Sequence, residues 1–346
     1  MARRRRQATP ATRPRTMEAN ASGTEGIDPM VTQQVVAPPA RSALFLIFTI
    51  REGGEGPVRD LLADLSGLTR AVSFRNPADG LVCVAGIGAR AWGRLFDTPR
   101  PKGLHEFVAL QGPRHTAPST PGDLLLHLRS RHMDVCFELA RQVGDRLRGH
   151  ADVVDETHGF KYFDERDLLG FVDGTENPEG DDAIAAVRIG DEDPDYAGGS
   201  YVMVQKYLHD MAGWSSLSVE EQERAMGRTK VDDIELPDDV KPKNSHVALN
   251  TIVDADGTEH DIVRANMPFG EIGADEYGTY YCGYAADPGV IERMLRNMFL
   301  GDPPGNTDRI LDFSTAKTGN LFFVPPIAFL DDPPAGPSAV AATPAV

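Results

Sequence analysis

The sequence predicts an α+β fold made of two related units. Residues 42–158 place apolar strand-like runs and two amphipathic stretches in the order strand, helix, strand, strand, helix, strand, which is the order of a ferredoxin-like sandwich. The second half, 200–324, follows the same order less cleanly. Both ends lack large apolar side chains in any periodic pattern, so 1–35 reads as a disordered basic tail and 331–346 as a second disordered tail rich in Pro and Ala. The expected domains are therefore 36–160 and 161–330, packed together.

Each element has its own warrant. SALFLIFTI, 42–50, is a continuous apolar run and suits a strand buried on both faces. Val58, Leu61, Leu62, Leu65 and Leu68 recur at helical spacing over 57–72. LVCVAGI, 81–87, is a second strand, followed by a short helical insertion around Trp92 and Phe96. A strand-like run begins at 107–110, and 123–128 makes another. Val135, Leu139, Val143 and Leu147, spaced by four, give a helix over 131–148, and a strand over 152–158 closes the unit. In the second half, 200–207 is a strand, and Ser218 with Glu221 forms a capping box that opens a helix to Met226. Strands follow at 263–266 and 280–284, then a helix over 288–300 with Val290, Ile291, Leu295 and Met298 on its apolar side. A last strand covers 321–324.

Composition excludes several functions. A net charge of −17 argues against nucleic acid as a partner, because phosphate binding needs a basic face. No apolar run approaches the length of a membrane span, so no membrane role is expected. The three cysteines, Cys83, Cys136 and Cys282, are far apart and form no CxxC pair, which indicates neither a disulfide framework nor a zinc site. Cys83 and Cys282 read as small core residues in a reducing compartment, and a cytoplasmic location is expected. Six arginines fall in the first 15 residues, yet no apolar stretch follows them as a twin-arginine export signal requires.

The stretch GFVDGTENPEG, 170–180, concentrates chemistry. Its glycines and proline specify an irregular turn, and Asp173 sits between Val172 and Gly174. A carboxylate held on a turn against an apolar wall is a usual setting for a raised pKa and for proton shuttling. The alternative is a solvated loop or a cation site in an acidic regulatory protein. An EF-hand spacing fails, because Thr175 stands where an acid or amide is required.

GFVDGTENP resembles the GxxDG signature of the dye-decolorizing peroxidases and extends well beyond it. Three further segments resemble that family: KPKNSHVALN around His246, IVRANMPFG around Arg264, and TDRILDFSTA around Asp308 and Asp312. The resemblance spans roughly 36–330. It implies two ferredoxin-like domains in a dimeric α+β barrel arrangement, with heme b held mainly by the C-terminal one. It implies reduction of hydrogen peroxide, with dyes, phenolic and aromatic donors or manganese(II) oxidised in one-electron steps through a ferryl intermediate. His246 becomes the proximal iron ligand, with His158, His209 and His260 as the histidines to test beside it. Asp308 becomes the acceptor of the second ring N–H of His246, with Asp312 as the alternative. Arg264 and Asn266 alternate with apolar residues, so a strand points both to one face. In the family they are the distal arginine and amide that work with Asp173. Met267 and Phe269 are expected to line the pocket. Glu176, Glu235 and Glu259 match acids that form a manganese site in a B-type member, and the compact chain suits the B-type. Trp92 and Trp214 are either electron relays or core. A homo-oligomer is expected. Some B-type relatives occupy an encapsulin shell through a tail peptide containing Gly-Ser-Leu, a pattern that DDPPAGPSAVAATPAV lacks. A heme carrier or iron-releasing protein on the same scaffold is the competing reading; it would bind heme with little peroxide-dependent turnover.

Overall fold

The computed structural model describes residues 32–337, Pro39 excepted. The expected tails therefore lie outside the described residues at 1–31 and 338–346. The first unit runs β1 (Ser42–Ile50), α1 (Glu55–Ser73), β2 (Val82–Gly88), α2 (Ala89–Leu95), β3 (Leu110–Gln111), β4 (Thr116–Ala117), β5 (Leu124–Ser130), α3 (Met133–Leu147) and β6 (Ala151–Phe160). Its sheet has the order β2-β5-β1-β6, all antiparallel, which is the ferredoxin-like arrangement. The strand expected from 107 shrinks to β3, which pairs only with β4, outside the main sheet.

The second unit runs α4 (Gly180–Val187), β7 (Ser200–His209), α5 (Met211–Ser215), α6 (Val219–Met226), α7 (His246–Asn250), β8 (Ile252–Val253), β9 (Glu259–His260), β10 (Val263–Arg264), β11 (Met267–Glu271), β12 (Glu276–Ala285), α8 (Pro288–Leu300), β13 (Ser314–Ala316), β14 (Asn320–Val324) and α9 (Ile327–Asp331). Its order, β10-β12-β7-β14, repeats the first unit, with β11 continuing along β12. β14 pairs with β2 through Phe322↔Gly88 and Phe323↔Ile87, so the two sheets join into one of ten strands.

The joined sheet curls toward a barrel. Gly159 of β6 lies against Met267 of β11, where an added Cβ would stand 2.4 Å from that of Met267. Only glycine allows the two outer strands to approach so closely. Inside the curl, Phe45 stacks on Tyr280 at 4.1 Å, and Ile47, Leu125, Val202 and Phe322 fill the space. Outside it, Leu44, Leu46 and Phe48 of β1 pack under α1 and α3. β1 is thus buried on both faces, which is why its sequence is apolar throughout. Each such fully buried large side chain stabilises the fold by about 1.5–3 kcal/mol.

Two boundaries differ from the sequence expectation. Residues 32–35 are not tail: Val35 is buried, and the Gln33 side chain donates to Ala85 O and Pro325 O, both at 2.9 Å, and accepts from Ala85 N at 2.8 Å. At the other end, 331–337 turns back over the first unit. Asp331 accepts from Ser66 Oγ at 2.8 Å, and Asp97 N donates to Ala335 O at 2.9 Å. Both short segments find buried or paired backbone groups, which local composition does not reveal. No helix among the described residues is long and apolar enough to cross a membrane.

Candidate active site

One deep pocket opens on the outer face of the C-terminal sheet. Tyr207 and His209 of β7 and Thr279 and Tyr281 of β12 form its floor, and Met294, Leu295 and Met298 of α8 give it an apolar wall. The strand alternation that sends Tyr280 and Cys282 into the barrel turns Tyr281 toward the pocket. His246 enters beside α8, while Asp173, Arg264 and Asn266 come from the acidic loop and the β10–β11 segment. The space, mouth included, is about 1460 Å³.

His246 is placed by three local devices. Ser245 caps α7, its Oγ accepting from Ala248 N at 3.4 Å, so His246 is the first helical residue. Asn250, one turn on, donates to His246 O at 2.7 Å. The ring Nδ1 lies 2.7 Å from Asp308 Oδ2. Asp308 is fully buried, and its other oxygen accepts from Ile310 N at 3.0 Å. A carboxylate there selects the tautomer with Nδ1–H, leaving the Nε2 lone pair free to bind a metal. Asp312, the alternative acid, instead meets Arg309 and Arg114, each at 2.5 Å, and His115 at 3.1 Å.

The other three histidines are engaged. His209 lines the pocket, but Ser314 Oγ and Thr279 Oγ1 sit on its two nitrogens at 2.8 and 2.9 Å, and burial pushes its pKa down to about 4. His260, also on the lining, pairs with Asp254 at 2.7 Å. His158 pairs with Glu156 at 2.7 Å on the surface.

The acidic loop turns at Gly174, whose φ of +87° is costly for any residue with a Cβ. Asp173 Oδ1 accepts from Asn266 Nδ2 at 3.2 Å, and Asn266 Oδ1 accepts from Cys282 N at 3.0 Å. Arg264 also lines the pocket, and its Nε is buried with no hydrogen-bond partner among the described residues. Sequence reasoning missed Asp167, six residues before Asp173. Its carboxyl accepts from Phe171 N at 3.0 Å, and burial, then the nearby Asp173 carboxylate, push its pKa up to about 7.

One expectation is corrected. Met267 and Phe269 do not line the pocket; they are buried in the barrel core with Tyr280 and Phe45. The alternation that turns Arg264 and Asn266 to the pocket turns 267 and 269 the other way. Glu176, Glu235 and Glu259 do not converge on a metal. Among the described residues no group of three His, Cys, Asp or Glu side chains is placed to hold an ion. Arg228 pairs with Glu176 and lies 3.9 Å from Glu235, which also pairs with Lys241, so the charges are already met by cations. Glu176 and Glu259 do line the pocket. Both tryptophans are core. Trp92 lies among Phe96, Tyr196, Phe323 and Phe329, and Trp214 donates to Leu169 O at 2.9 Å beside Phe171 and Phe313.

The pocket residues fit a heme. The α8 wall is apolar, one imidazole nitrogen is free, and the unpartnered buried Nε of Arg264 calls for an anionic or oxygen-bearing group. Fold and site together define a heme-binding oxidoreductase on a two-domain α+β barrel. The chain belongs to the Dyp-type peroxidase family, whose N-terminal model matches residues 32–161 and whose C-terminal model matches 164–329. It is 62% identical over 312 residues to a dye-decolorizing peroxidase of Mycolicibacterium paratuberculosis, covering 90% of this chain and 88% of that one. The encapsulated DyP-type peroxidase of Mycobacterium smegmatis, solved by cryo-EM, is 64% identical with a TM-score of 0.88, over 89% of this chain and all of that one. A variant of Rhodococcus jostii RHA1 DypB in complex with heme is 57% identical with a TM-score of 0.86, over 88% and 98% of the two chains. A DypB variant was also solved in complex with manganese, 57% identical with a TM-score of 0.86. The present chain is thus a hydrogen-peroxide-dependent heme peroxidase of the dye-decolorizing type, with heme as its cofactor.

Proposed function

We propose that His246 is the protein ligand to heme b and that Asp173, Asn266 and Arg264 handle hydrogen peroxide in the same pocket. The observation that carries this reading is one cavity lined by an imidazole anchored on a buried carboxylate and by a carboxylate, an amide and a guanidinium from other elements. Bound there, heme would supply the iron that takes up peroxide and the store of two oxidising equivalents that donors then discharge one at a time. Asp308 holds the His246 ring and raises its electron donation. Asp173 takes the proton from the near peroxide oxygen and returns it to the far one, which is general acid–base work. Asn266 fixes one carboxylate oxygen of Asp173 and leaves the other for the proton. Arg264, permanently cationic, stabilises charge on the departing hydroxide.

Stopped flow with Asp173→Ala and Arg264→Leu tests the roles. General acid–base groups contribute about 10²–10⁴-fold. If neither variant slows the first reaction with peroxide, the assignment is wrong. Steady turnover also separates an enzyme from the carrier reading, which requires reversible heme uptake with little donor oxidation.

Dyes and phenolic or other small aromatic donors are the electron sources this reading favours. Manganese(II) is a second donor, supported by the relative solved with that metal. It would need Arg228 and Lys241 to leave Glu176 and Glu235. Loss of manganese-dependent turnover in Glu235→Ala, with dye oxidation intact, is the expected result; unchanged manganese turnover sinks it. Residence in an encapsulin shell is supported by similarity to the encapsulated relative. Co-expression with a shell protein and co-purification of the peroxidase inside it tests that.

A further inference from the structure

β10, which carries Arg264, lies at the end of the strand order. On one side it pairs with β12, Arg264 opposite Gly283. On the other side no strand follows among the described residues, and the Asn177 side chain takes a strand's place. Its Oδ1 accepts from Arg264 N and its Nδ2 donates to Arg264 O, both at 2.8 Å. Only one orientation of the amide satisfies both bonds. Asn177 belongs to the same loop as Asp173, and Asn177 N donates to Gly174 O at 3.1 Å across the turn between them. The loop and the strand segment are therefore joined at two points. Asn177 grips the Arg264 backbone, and Asn266 grips the Asp173 carboxylate at 3.2 Å.

We infer that Asn177 is a positioning residue that fixes Asp173 and Arg264 relative to each other for the peroxide step. A single point of attachment between two segments leaves a pivot; two points, four residues apart on the loop and two apart on the strand, remove it. Asn177 acts through the backbone of Arg264 rather than by touching peroxide or iron. The inference rests on the reading of Asp173 and Arg264 as the peroxide-handling pair.

The test uses the heme-loaded protein with Asn177→Ala and Asn177→Asp. The second variant is isosteric and keeps the packing while turning the donor toward Arg264 O into an acceptor. Glu179→Ala, on the exposed end of the loop, is the control. Hydrogen exchange followed by mass spectrometry should show faster exchange in the peptide containing Arg264 in both Asn177 variants. A misplacement of this kind costs up to about 10²-fold, so the second-order rate constant for peroxide should fall at least about tenfold. The donor-limited kcat at saturating peroxide and the heme absorbance spectrum should stay as in the parent, a split that general destabilisation would not produce. The inference is overturned if exchange at Arg264 is unchanged, or if peroxide reacts at the parent rate in both Asn177 variants while Asp173→Ala and Arg264→Leu slow it. Should those two variants leave the peroxide rate intact, the fault lies in the reading of the pair and the inference falls with it, even where exchange shows the clamp to be real.

Discussion

Replacing Asp308 by Asn probes the contact that prepares His246. The carboxylate is fully buried, 2.7 Å from Nδ1, and its second oxygen takes Ile310 N at 3.0 Å. Asparagine keeps the shape and the bond to Ile310 but removes the charge. A hydrogen bond to a charged group contributes about 1.5–3 kcal/mol, against about 0.5–1.5 for a neutral one. The net loss at His246 is therefore on the order of 1–2 kcal/mol. Outer partners of metal-bound histidines typically account for ~10–100-fold in metal affinity or activity, an overlapping range. Less electron donation from the imidazole also favours the reduced iron, and about 1–2 kcal/mol lost from the ferric form alone should raise the potential by about 45–90 mV at ~59 mV per tenfold. Hemin titration of the apoprotein and a spectroelectrochemical titration of the loaded protein measure the two quantities. If Asp308→Asn leaves both affinity and potential at the parent values, Asp308 does not act on the iron through His246.

The barrel placement of Phe269 and Met267 predicts that Phe269→Ala costs about 3–5 kcal/mol and Met267→Ala about 2–5 kcal/mol in urea unfolding, with hemin affinity unchanged. A selective loss of hemin binding would contradict that orientation. Asp167 titrates near 7 in the folded chain and near 3.9 when unfolded, so the folded state holds the extra proton between those values. Its contribution is present below about pH 4 and is lost as pH rises through 7, by at most about 4 kcal/mol. Asp167→Asn should therefore gain on the parent in melting temperature as pH is raised from 4 to 8; parallel curves would refute the shift. His209 behaves in the opposite sense. Its folded pKa of about 4 lies below the unfolded value, so stability present above pH 6.5 is lost as pH falls toward 4, by at most about 3 kcal/mol. His209→Gln should flatten that acid limb, and an unchanged limb assigns it to other groups.

The sequence by itself determined the elements and the chemistry they carry. Helical and strand periods are local, so α1, α3, α8 and most strands of both sheets were legible, as was the Ser218–Glu221 capping box. His246, Asp173, Arg264 and Asn266 stood out because they lie in short, distinctive segments. What the tertiary structure decided concerns pairs far apart in the chain. Asp308 rather than Asp312 faces His246 across 62 residues, and the two acids differ by one turn that only packing orients. Met267 and Phe269 face the barrel because a second sheet closes over them, and the pattern 263–269 looks the same whichever face is enclosed. Arg228 between Glu176 and Glu235, Gln33 on β2, the raised carboxyl of Asp167 and the grip of Asn177 on Arg264 all depend on neighbours brought in by folding. A side chain's type is written in the chain, but its charge state and partner depend on what surrounds it once water has been removed.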